Sequence, residues 1–260
     1  MLTVAILNNN KIRAFVNPSN YKYNMEKEEY NCDTNPYPSF GKKYNSERAI
    51  ISLTSWKARI NTVSKTLYSL IKQCPGFHIV LVLSEEEFPK MMDELPENLK
   101  LFVDNELIEV LWVYKNYKSF KKWLFTADKY RDVPIISADD DCIYTCNYAQ
   151  ELYDTWTKDD ESIQTFHSCP ITHYQHGPTT LYPPYCFLEF GIKKLNQIIL
   201  NTNHDDVYYG CLANKFHINI HDLDKRKVCY IFHDTVRALS KTLTLPTRTA
   251  VKIINTELYK

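Results

Sequence analysis

Three consecutive aspartates, Asp139, Asp140 and Asp141, follow an apolar run near the middle of the sequence. Adjacent carboxylates repel one another, so such a run is costly unless a cation neutralises it. A hard divalent ion takes one or two carboxylates together with phosphate oxygens, and it offsets the charge that develops on a departing diphosphate. In an extended chain, Asp139 and Asp141 point to one side and Asp140 to the other. The run therefore predicts a Mg²⁺ or Mn²⁺ site beside a diphosphate, and a solvated acidic turn is the alternative.

Two other polar corners also follow apolar runs: Thr54 to Arg59 after one run, and Ser84 with Glu85 after the next. In open parallel sheets, ligands bind at the carboxyl ends of the strands. We therefore expect these corners to face the same ligand as the aspartates. The chain has only five glycines, and their positions allow neither a G-x-G-x-x-G motif nor a P-loop, so a glycine cradle for phosphate is excluded.

Lys121 and Lys122 fall in the first turn of a predicted helix, off its apolar stripe. A helix N-terminus offers free N–H groups and partial positive charge to an anion, so both lysines are candidates for contacting a diphosphate. A solvated helix face is the alternative. Asp205 and Asp206 precede another short helical pattern, where one of them can serve as the N-cap.

The elements that position these residues alternate between strand and helix. Apolar runs predict buried strands at residues 49–54, 78–83, 107–113 and 133–138. Helical periodicity predicts one helix from Asn61 or Thr62 through Ile71 and another from Ser119. This alternation predicts an α/β fold of right-handed βαβ units, with a mainly parallel sheet covered by helices on both faces.

The pattern is looser on either side of this stretch. Residues 2–7 have the composition of a strand, and the remainder of residues 1–47 carries no clear period. After Asp141 we expect a helix at residues 147–156, short strands at residues 162–167 and 181–184, and two further helical segments.

Composition excludes several classes of protein. Lysine plus arginine balances aspartate plus glutamate at 31 each, so no global field favours nucleic acid. The eight cysteines form no C-x-x-C pair and no secreted disulfide framework, which predicts reduced thiols. The first residues lack the basic and apolar regions of a signal peptide, and no apolar run reaches the roughly 18 residues of a membrane span. We expect a cytoplasmic location.

Five segments in order resemble a bacterial polysaccharide glycosyltransferase of the GT-A, family-2-like type. They are residues 50–60 (IISLTSWKARI), 118–124 (KSFKKWL), 136–144 (ISADDDCIY), 181–184 (LYPP) and 205–208 (DDVY). The resemblance covers residues 49–223, about two thirds of the chain. It implies a GT-A (Rossmann-like) fold with an acceptor-side extension.

The resemblance also implies roles for the donor-side residues. Thr54 and Arg59 would lie by the nucleotide base or ribose, and Ser84 or Glu85 near the base. The remaining donor-side roles are ribose contact for Asp139 or Asp140, metal ligation by Asp141 with Asp139, and diphosphate contact for Lys121 and Lys122. These assignments imply Mn²⁺ or Mg²⁺ as cofactor and a nucleotide-sugar, UDP-sugar in the first place, as donor.

On the acceptor side, the resemblance implies that Asp205 and Asp206 supply the general base that deprotonates the acceptor hydroxyl, and Asp206 is preferred. His221 and His233 lie where some GT-A enzymes take a third metal ligand, but a surface or core histidine is the more ordinary interpretation. Transfer would lead from the nucleotide diphosphate sugar to a hydroxyl of a surface glycan, such as capsule or lipopolysaccharide, with inversion. The acceptor would be free or lipid-linked.

We divide the chain into an N-terminal extension (residues 1–47), a nucleotide-sugar-binding half (48–146), an acceptor-side half of the same domain (147–223) and a basic C-terminal segment (224–260). The last segment carries eight basic and three acidic side chains, with Val236, Leu239, Leu243 and Leu245 among them. It suits peripheral contact with an anionic membrane face, or a packed helix with a solvated basic side.

Two other functions stay open. A nucleotidyltransferase that makes a nucleotide-sugar shares this kind of fold, but it usually reads a triphosphate with a glycine-rich loop, and residues 54–59 contain no glycine. A sugar-binding module with a vestigial metal site is the non-catalytic alternative.

Overall fold

A seven-stranded sheet forms the centre of the described part of the chain. The computed structural model describes residues 2–7, 11–16, 48–73, 76–145, 147–166, 178–187, 202, 204–223, 228–231 and 247–258. The strands are β1 (Leu2–Leu7), β2 (Lys11–Val16), β3 (Ala49–Thr54), β4 (Phe77–Ser84), β5 (Glu109–Val113), β6 (Ile135–Ser137), β7 (Cys142–Tyr144), β8 (Ile163–Thr165), β9 (Thr180–Tyr182), β10 (Ile220–Asp222) and β11 (Cys229–Ile231). The helices are α1 (Val63–Ile71), α2 (Glu97–Asp104), α3 (Lys121–Lys129), α4 (Tyr148–Trp156), α5 (Asp205–Lys215) and α6 (Thr247–Leu258), with 3₁₀ turns at Met91–Glu94 and Lys118–Phe120.

The strand order of the large sheet is β10-β8-β9-β6-β3-β4-β5. Strand β9 is antiparallel to β6 and β8, whereas the pairs β10/β8, β3/β4, β3/β6 and β4/β5 are parallel. Two small antiparallel sheets, β1 with β2 and β7 with β11, complete the described strands. The predicted α/β fold with a mainly parallel sheet is confirmed.

Strands β3, β4 and β6 are rich in apolar residues and almost wholly buried, as expected where helices cover both faces of a sheet. Along β3, Ile51 and Leu53 join the hydrophobic cluster on one face, and Ile50 joins the cluster on the other. Helices α1, α2 and α4 contribute to the first cluster, and α3, α5 and α6 contribute to the second. Full burial of one such aliphatic side chain stabilises the fold by about 1.5–3 kcal/mol.

The strand at residues 49–54 and the helix ending at Ile71 are confirmed, and the other predicted strands are confirmed within a few residues. The second predicted helix begins at Lys121, after the 3₁₀ turn, rather than at Ser119. Thr62 is the N-cap of α1, but its hydroxyl donates to Arg59 O at 2.9 Å and makes no capping hydrogen bond. Strands β2, β7, β10 and β11 and helix α2 were not predicted from the sequence.

At the C-terminus, the described residues form a packed helix. Ala250, Ile254 and Leu258 of α6 are buried in the cluster shared with α5, at the i, i+4, i+8 spacing of one helix face. The apolar residues considered for membrane contact, at positions 236, 239, 243 and 245, lie outside the described residues. Within the described ranges, no helix is long and apolar enough to cross a membrane.

The chain order of the strands places a crevice over β3. From β3 the chain proceeds outward to β4 and β5, then returns to form β6 on the opposite side of β3. Such a reversal of strand order opens a crevice at the carboxyl ends of the two strands, where open α/β sheets bind ligands. The corner after β3 and the aspartates after β6 flank this crevice.

Candidate active site

Asp140 is held on the β3 side of the crevice. Its carboxylate accepts hydrogen bonds from Ser55 Oγ at 2.6 Å and from Arg59 Nη1 at 2.5 Å, and all three side chains are buried. Burial raises the pKa of Asp140, and the nearby Arg59 guanidinium opposes that shift. Both oxygens are engaged by protein donors. Asp140 therefore fixes the corner after β3 against the corner after β6.

Asp141 shares the same guanidinium but is more accessible. Its Oδ2 lies 3.1 Å from Arg59 Nη1, and its side chain is 25% exposed. Burial and then the neighbouring Asp139 raise the pKa of Asp141, so this carboxylate is incompletely neutralised by the protein. Arg59 contacts both Asp140 and Asp141, whereas Asp139 turns to another partner. The alternation expected for an extended chain is wrong here, because residues 140 and 141 form a turn.

Asp139 pairs with Lys122, which also contacts Asp205. Lys122 Nζ lies 2.8 Å from Asp139 Oδ1 and 3.0 Å from Asp205 Oδ2. Burial would lower the pKa of Lys122, but the carboxylates of Asp139, Asp205 and Asp206 outweigh it and raise that pKa well above its usual value. The Asp139 side chain is 39% exposed, while Lys122 and Asp205 are buried. Lys122 thus links the aspartate run to the first turn of α5.

Ser52, on the central strand β3, holds the backbone of Lys122. Its hydroxyl, on β3, donates to the backbone carbonyl of Lys122 and lies 2.7 Å from Thr126 Oγ1 of α3. The start of α3 is therefore bound to the central strand of the sheet. The alternative in which Lys122 lies on a solvated helix face is wrong, because the residue is only 5% exposed.

Asp205 and Asp206 open helix α5. His204 is the N-cap residue, so neither aspartate caps the helix, and both lie in the first turn, where the helix dipole favours negative charge. Burial, followed by the charge of Asp205, raises the pKa of Asp206, and Lys122 opposes the shift. Asp205 is neutralised by a direct ion pair with Lys122. The site therefore raises the proton affinity of the Asp206 carboxylate.

Lys121 points away from these groups. Its ammonium lies 3.1 Å from Glu87 Oε2 and 2.9 Å from Asn116 Oδ1, and the residue is 1% exposed. It lies on no solvated face either. Its partners belong to the corners after β4 and β5, so the two adjacent lysines are committed to different parts of the crevice.

The other predicted donor-side residues lie at the carboxyl ends of β3 and β4. Thr54 Oγ1 donates to Val82 O at 2.7 Å, and Ser84 Oγ donates to Glu87 Oε2 at 3.1 Å. The backbone N–H of Glu85 donates to Val113 O at 2.9 Å, and its side chain is partly exposed. The structure therefore brings these residues to one edge of the sheet, and their contacts with a nucleotide stay predictions.

Sequence reasoning missed Tyr144 as part of the site. Its hydroxyl accepts a hydrogen bond from the backbone N–H of Asp139 at 2.7 Å, and its ring stacks on Tyr148 with centroids 4.5 Å apart. Tyr144 lies in the ISADDDCIY segment, five positions after Asp139, but no spacing rule shows that its side chain folds back. Ser55 was likewise passed over, although it stands in the corner that was singled out.

The histidines do not join the described site. His221 lies on β10 at the far edge of the sheet, where its Nε2 is 3.3 Å from Asp159 Oδ2. His233 lies outside the described residues. In the described ranges, no three His, Cys, Asp or Glu side chains form a ready metal cage.

The donor groups nevertheless fit a hard divalent ion. In the described part of the site, the carboxylates of residues 139–141, 205 and 206 make direct ion pairs with only Arg59 and Lys122. Asp141 and Asp139 keep accessible oxygen, the ligand that Mg²⁺ and Mn²⁺ prefer. Such ions take only one or two carboxylates and complete their coordination with phosphate and water, so a full protein cage is not required.

No protein-family model and no curated protein sequence matches this chain. Solved structures do match. One is the mannosyltransferase PcManGT from Pyrobaculum calidifontis in complex with GDP-Man and Mn²⁺, with a TM-score of 0.50, 11% identity, and coverage of 72% of this chain and 58% of the other. Another is S. aureus TarS 1-349 in complex with UDP, with a TM-score of 0.50, 12% identity, and coverage of 81% and 70%. At these identities the likeness shows the fold, and the predicted GT-A fold is confirmed.

Proposed function

We propose that this chain is a metal-dependent glycosyltransferase that moves a sugar from a nucleotide diphosphate sugar to an acceptor hydroxyl. One observation carries the proposal: Lys122 joins Asp139 of the aspartate run to Asp205 of the acidic pair, at the crevice of a GT-A fold. Donor-side and acceptor-side carboxylates are thereby held within one ion-pair network. The two solved structures named above are described with GDP-Man and Mn²⁺ and with UDP, which supports this class of donor.

On the donor side, Asp141 and Asp139 would hold Mn²⁺ or Mg²⁺ against the diphosphate. When bound, the ion neutralises the charge of the nucleoside diphosphate leaving group. Asp140 binds no ion in this proposal, since Ser55 and Arg59 occupy both of its oxygens. Asp140 and Arg59 instead fix the relative position of the two corners. Lys122 supplies positive charge where the diphosphate meets the carboxylates.

The nucleoside extends from the metal toward β4. Thr54 and Arg59 would border the ribose or base from the corner after β3, and Ser84 and Glu85 the base from the corner after β4. The strand order β6-β3-β4, which sets these corners side by side at the carboxyl edge, supports this direction. We place a UDP-sugar first among the donors.

On the acceptor side, Asp206 serves as the general base. Its raised pKa makes it a stronger base than an ordinary aspartate, while Asp205 is held by Lys122 as a positioning carboxylate. The acceptor hydroxyl gives its proton to Asp206 as its oxygen bonds to the anomeric carbon. The bond from that carbon to the phosphate oxygen breaks, and the nucleoside diphosphate leaves with the electron pair. A single displacement of this kind inverts the anomeric configuration.

The acceptor we propose is a hydroxyl of a surface glycan, free or lipid-linked, reached from the cytoplasmic side of the membrane. This acceptor proposal rests on the resemblance of the five sequence segments to polysaccharide glycosyltransferases and on the basic composition of residues 224–260. An acceptor-dependent transfer assay with membrane vesicles containing anionic lipid would test it. A rate that vesicles leave unchanged contradicts the membrane part of the proposal.

The direct test is a panel of UDP-, GDP- and CMP-sugars with Mn²⁺ or Mg²⁺, with release of the nucleotide by slow hydrolysis measured without acceptor. We expect one donor to be turned over and Asp141→Asn to lower the rate by about a thousandfold or more, as suits a principal metal ligand. Asp132→Asn, at an exposed position away from the crevice, is the matched control and should retain the wild-type rate.

Three outcomes contradict the proposal. Release of pyrophosphate from a nucleoside triphosphate and a sugar phosphate would indicate a nucleotidyltransferase. Tight donor binding without turnover in the presence of either metal would indicate a sugar-binding module. Equal hydrolysis by wild type and Asp141→Asn would refute the metal assignment. If transfer occurs, NMR of the first-formed product gives its anomeric configuration, and retention would exclude the single displacement.

A further inference from the structure

A buried lysine joins three elements beside the crevice. Lys121, the first residue of α3, donates to Glu87 after β4 at 3.1 Å and to Asn116 after β5 at 2.9 Å. We call Lys121, Glu87 and Asn116 the Lys121 junction. Lys121 and Asn116 belong to the same connection between β5 and α3, five positions apart, whereas Glu87 lies 34 positions from Lys121. The tertiary fold therefore brings Glu87 to the other two residues.

Further hydrogen bonds tie the two corners to the junction. Ser84 Oγ donates to Glu87 Oε2 at 3.1 Å, and the backbone N–H of Asn116 donates to Glu86 Oε2 at 2.8 Å. Asn116 Oδ1 also accepts from the backbone N–H of Lys118 at 2.9 Å. The corner after β4 is thus bound to the corner after β5 directly, by the bond from Asn116 to Glu86, and indirectly through Lys121, which contacts Glu87 and Asn116.

The junction also holds a strained backbone. Lys118 has a φ of 52°, in the left-handed region that non-glycine residues rarely occupy. The bond from its N–H to Asn116 Oδ1 helps to fix that conformation. Strained residues persist where the surroundings over-determine them, and they cluster at binding sites. The strain therefore agrees with a corner whose shape is required for a ligand.

Lys121 itself cannot meet a ligand in the crevice. At 1% exposure its side chain is covered, and Glu87 and Asn116 occupy its ammonium. A cation that merely stabilised the helix start would not need two partners from two strand ends. The contacts indicate that its task is to fix the distance between these ends.

We propose that Lys121 is a positioning residue for the nucleoside end of the donor. It holds the corner after β4, with Ser84 and Glu85, in the shape that receives the base, while its neighbour Lys122 serves the diphosphate end. This inference rests on the proposed function, because it names the part of the donor that the corner receives. It assigns the two adjacent lysines to opposite ends of one substrate.

The first test is Lys121→Met, which keeps most of the volume of the side chain and removes the charge. With the donor identified in the hydrolysis panel, we expect KM for the nucleotide-sugar to rise by about tenfold or more, and kcat to change by less than about threefold. Lys129→Met is the matched control, since Lys129 lies at the other end of the same helix with an exposed side chain. It should leave KM unchanged.

A second variant separates positioning from stability. Lys121→Met leaves Glu87 without its buried cation, which lowers the melting temperature. In the double variant with Glu87→Gln that charge is removed, so the melting temperature should recover in part while KM stays raised, because the link to Asn116 is still absent. Amide hydrogen exchange should be faster at residues 84–88 and 114–120 in both variants.

The outcomes divide clearly. If KM returns to the wild-type value together with the melting temperature, or if Lys121→Met leaves KM unchanged in an active enzyme, Lys121 has only a structural role and this inference is overturned. If the wild-type protein turns over no donor in the panel, the proposed function fails, and the nucleoside assignment fails with it. A raised KM with wild-type kcat and local loss of exchange protection supports the inference.

Discussion

Arg59→Met is expected to lower the free energy of unfolding by about 3 kcal/mol at pH 7, because it removes the cation from a buried ion pair. Arg59 Nη1 lies 2.5 Å from Asp140 and 3.1 Å from Asp141. Breaking a buried pair costs about 3–5 kcal/mol, and a more exposed partner such as Asp141 adds less than about 1 kcal/mol. We expect a loss near 3 kcal/mol, the lower end of this range, because Asp140 keeps the hydrogen bond from Ser55 in the Arg59→Met variant.

Protonation sets an upper limit to this loss. A carboxylate without its cation can take up a proton, which costs about 4 kcal/mol at pH 7 and about 1.5 kcal/mol at pH 5 for an ordinary aspartate pKa. Burial already raises the pKa of Asp140, and loss of Arg59 raises it further. A raised pKa means that the folded state binds the proton more tightly than the unfolded state, so stability is gained as the pH falls. The deficit of the variant should therefore shrink to about 1.5 kcal/mol or less at pH 5.

Urea unfolding followed by circular dichroism at pH 7 and pH 5 measures both quantities. For a domain of this size, about 3 kcal/mol corresponds to a fall in melting temperature of about 6–12 °C, which calorimetry would detect. Lys57→Met is the control, because Lys57 belongs to the same loop and pairs with Glu94 through an exposed side chain. It should cost less than about 1 kcal/mol. A deficit for Arg59→Met no larger than that of the control, or one that does not shrink on acidification, would refute the reasoning.

Three further predictions concern the metal, the base and acid stability. Mn²⁺ at about 100 times its dissociation constant should raise the stability of the wild type by about 2.7 kcal/mol in thermal unfolding, and Asp141→Asn should lose most of that gain. Asp206→Asn should lower acceptor-dependent kcat by about a hundredfold or more without a comparable change in donor hydrolysis, whereas an equal loss in both assays would contradict a role as base. Burial alone would raise the pKa of Glu109, but hydrogen bonds from His78, Lys129 and Tyr130 lower it to about 2. Ionised Glu109 thus stabilises the protein above its unfolded pKa and loses that effect on acidification, so the wild type should lose about 1–2 kcal/mol more than Glu109→Gln between pH 6 and pH 3, as measured by urea unfolding.

The fold was largely predictable from the sequence because its central strands are continuous apolar runs. Ala49–Thr54 is buried on both faces, so its limits follow from hydrophobicity alone. The hairpin partner Lys11–Val16 was missed because Lys11 and Arg13 interrupt any apolar run. Helix Glu97–Asp104 was missed because it is short and has only Leu99 and Phe102 as fully buried residues.

Several residues of the candidate site could also be proposed from the sequence, and their roles stay predictions. Asp139, Asp141 and Asp206 could be chosen as candidate site residues because few purely structural roles account for carboxylates directly after a buried strand or at the start of a helix. Ser55 and Tyr144 were missed because a hydroxyl that receives or donates one hydrogen bond leaves no spacing pattern in the sequence. Glu87 and Asn116 were also missed, because their hydrogen bonds with Lys121 leave no spacing pattern in the sequence.

By itself, the sequence determined which residue types stand at the ends of the strands, and therefore that carboxylates and cations meet at one edge of a parallel sheet. Only the tertiary structure decided the partners. Asp140 is paired with Arg59 across 81 positions, so the proposed metal ligands are Asp141 and Asp139. The adjacent lysines 121 and 122 are equivalent in a helical pattern but diverge in space, because successive residues on a helix point about 100° apart. Lys122 contacts the aspartates of the crevice, and Lys121 contacts the corners after β4 and β5.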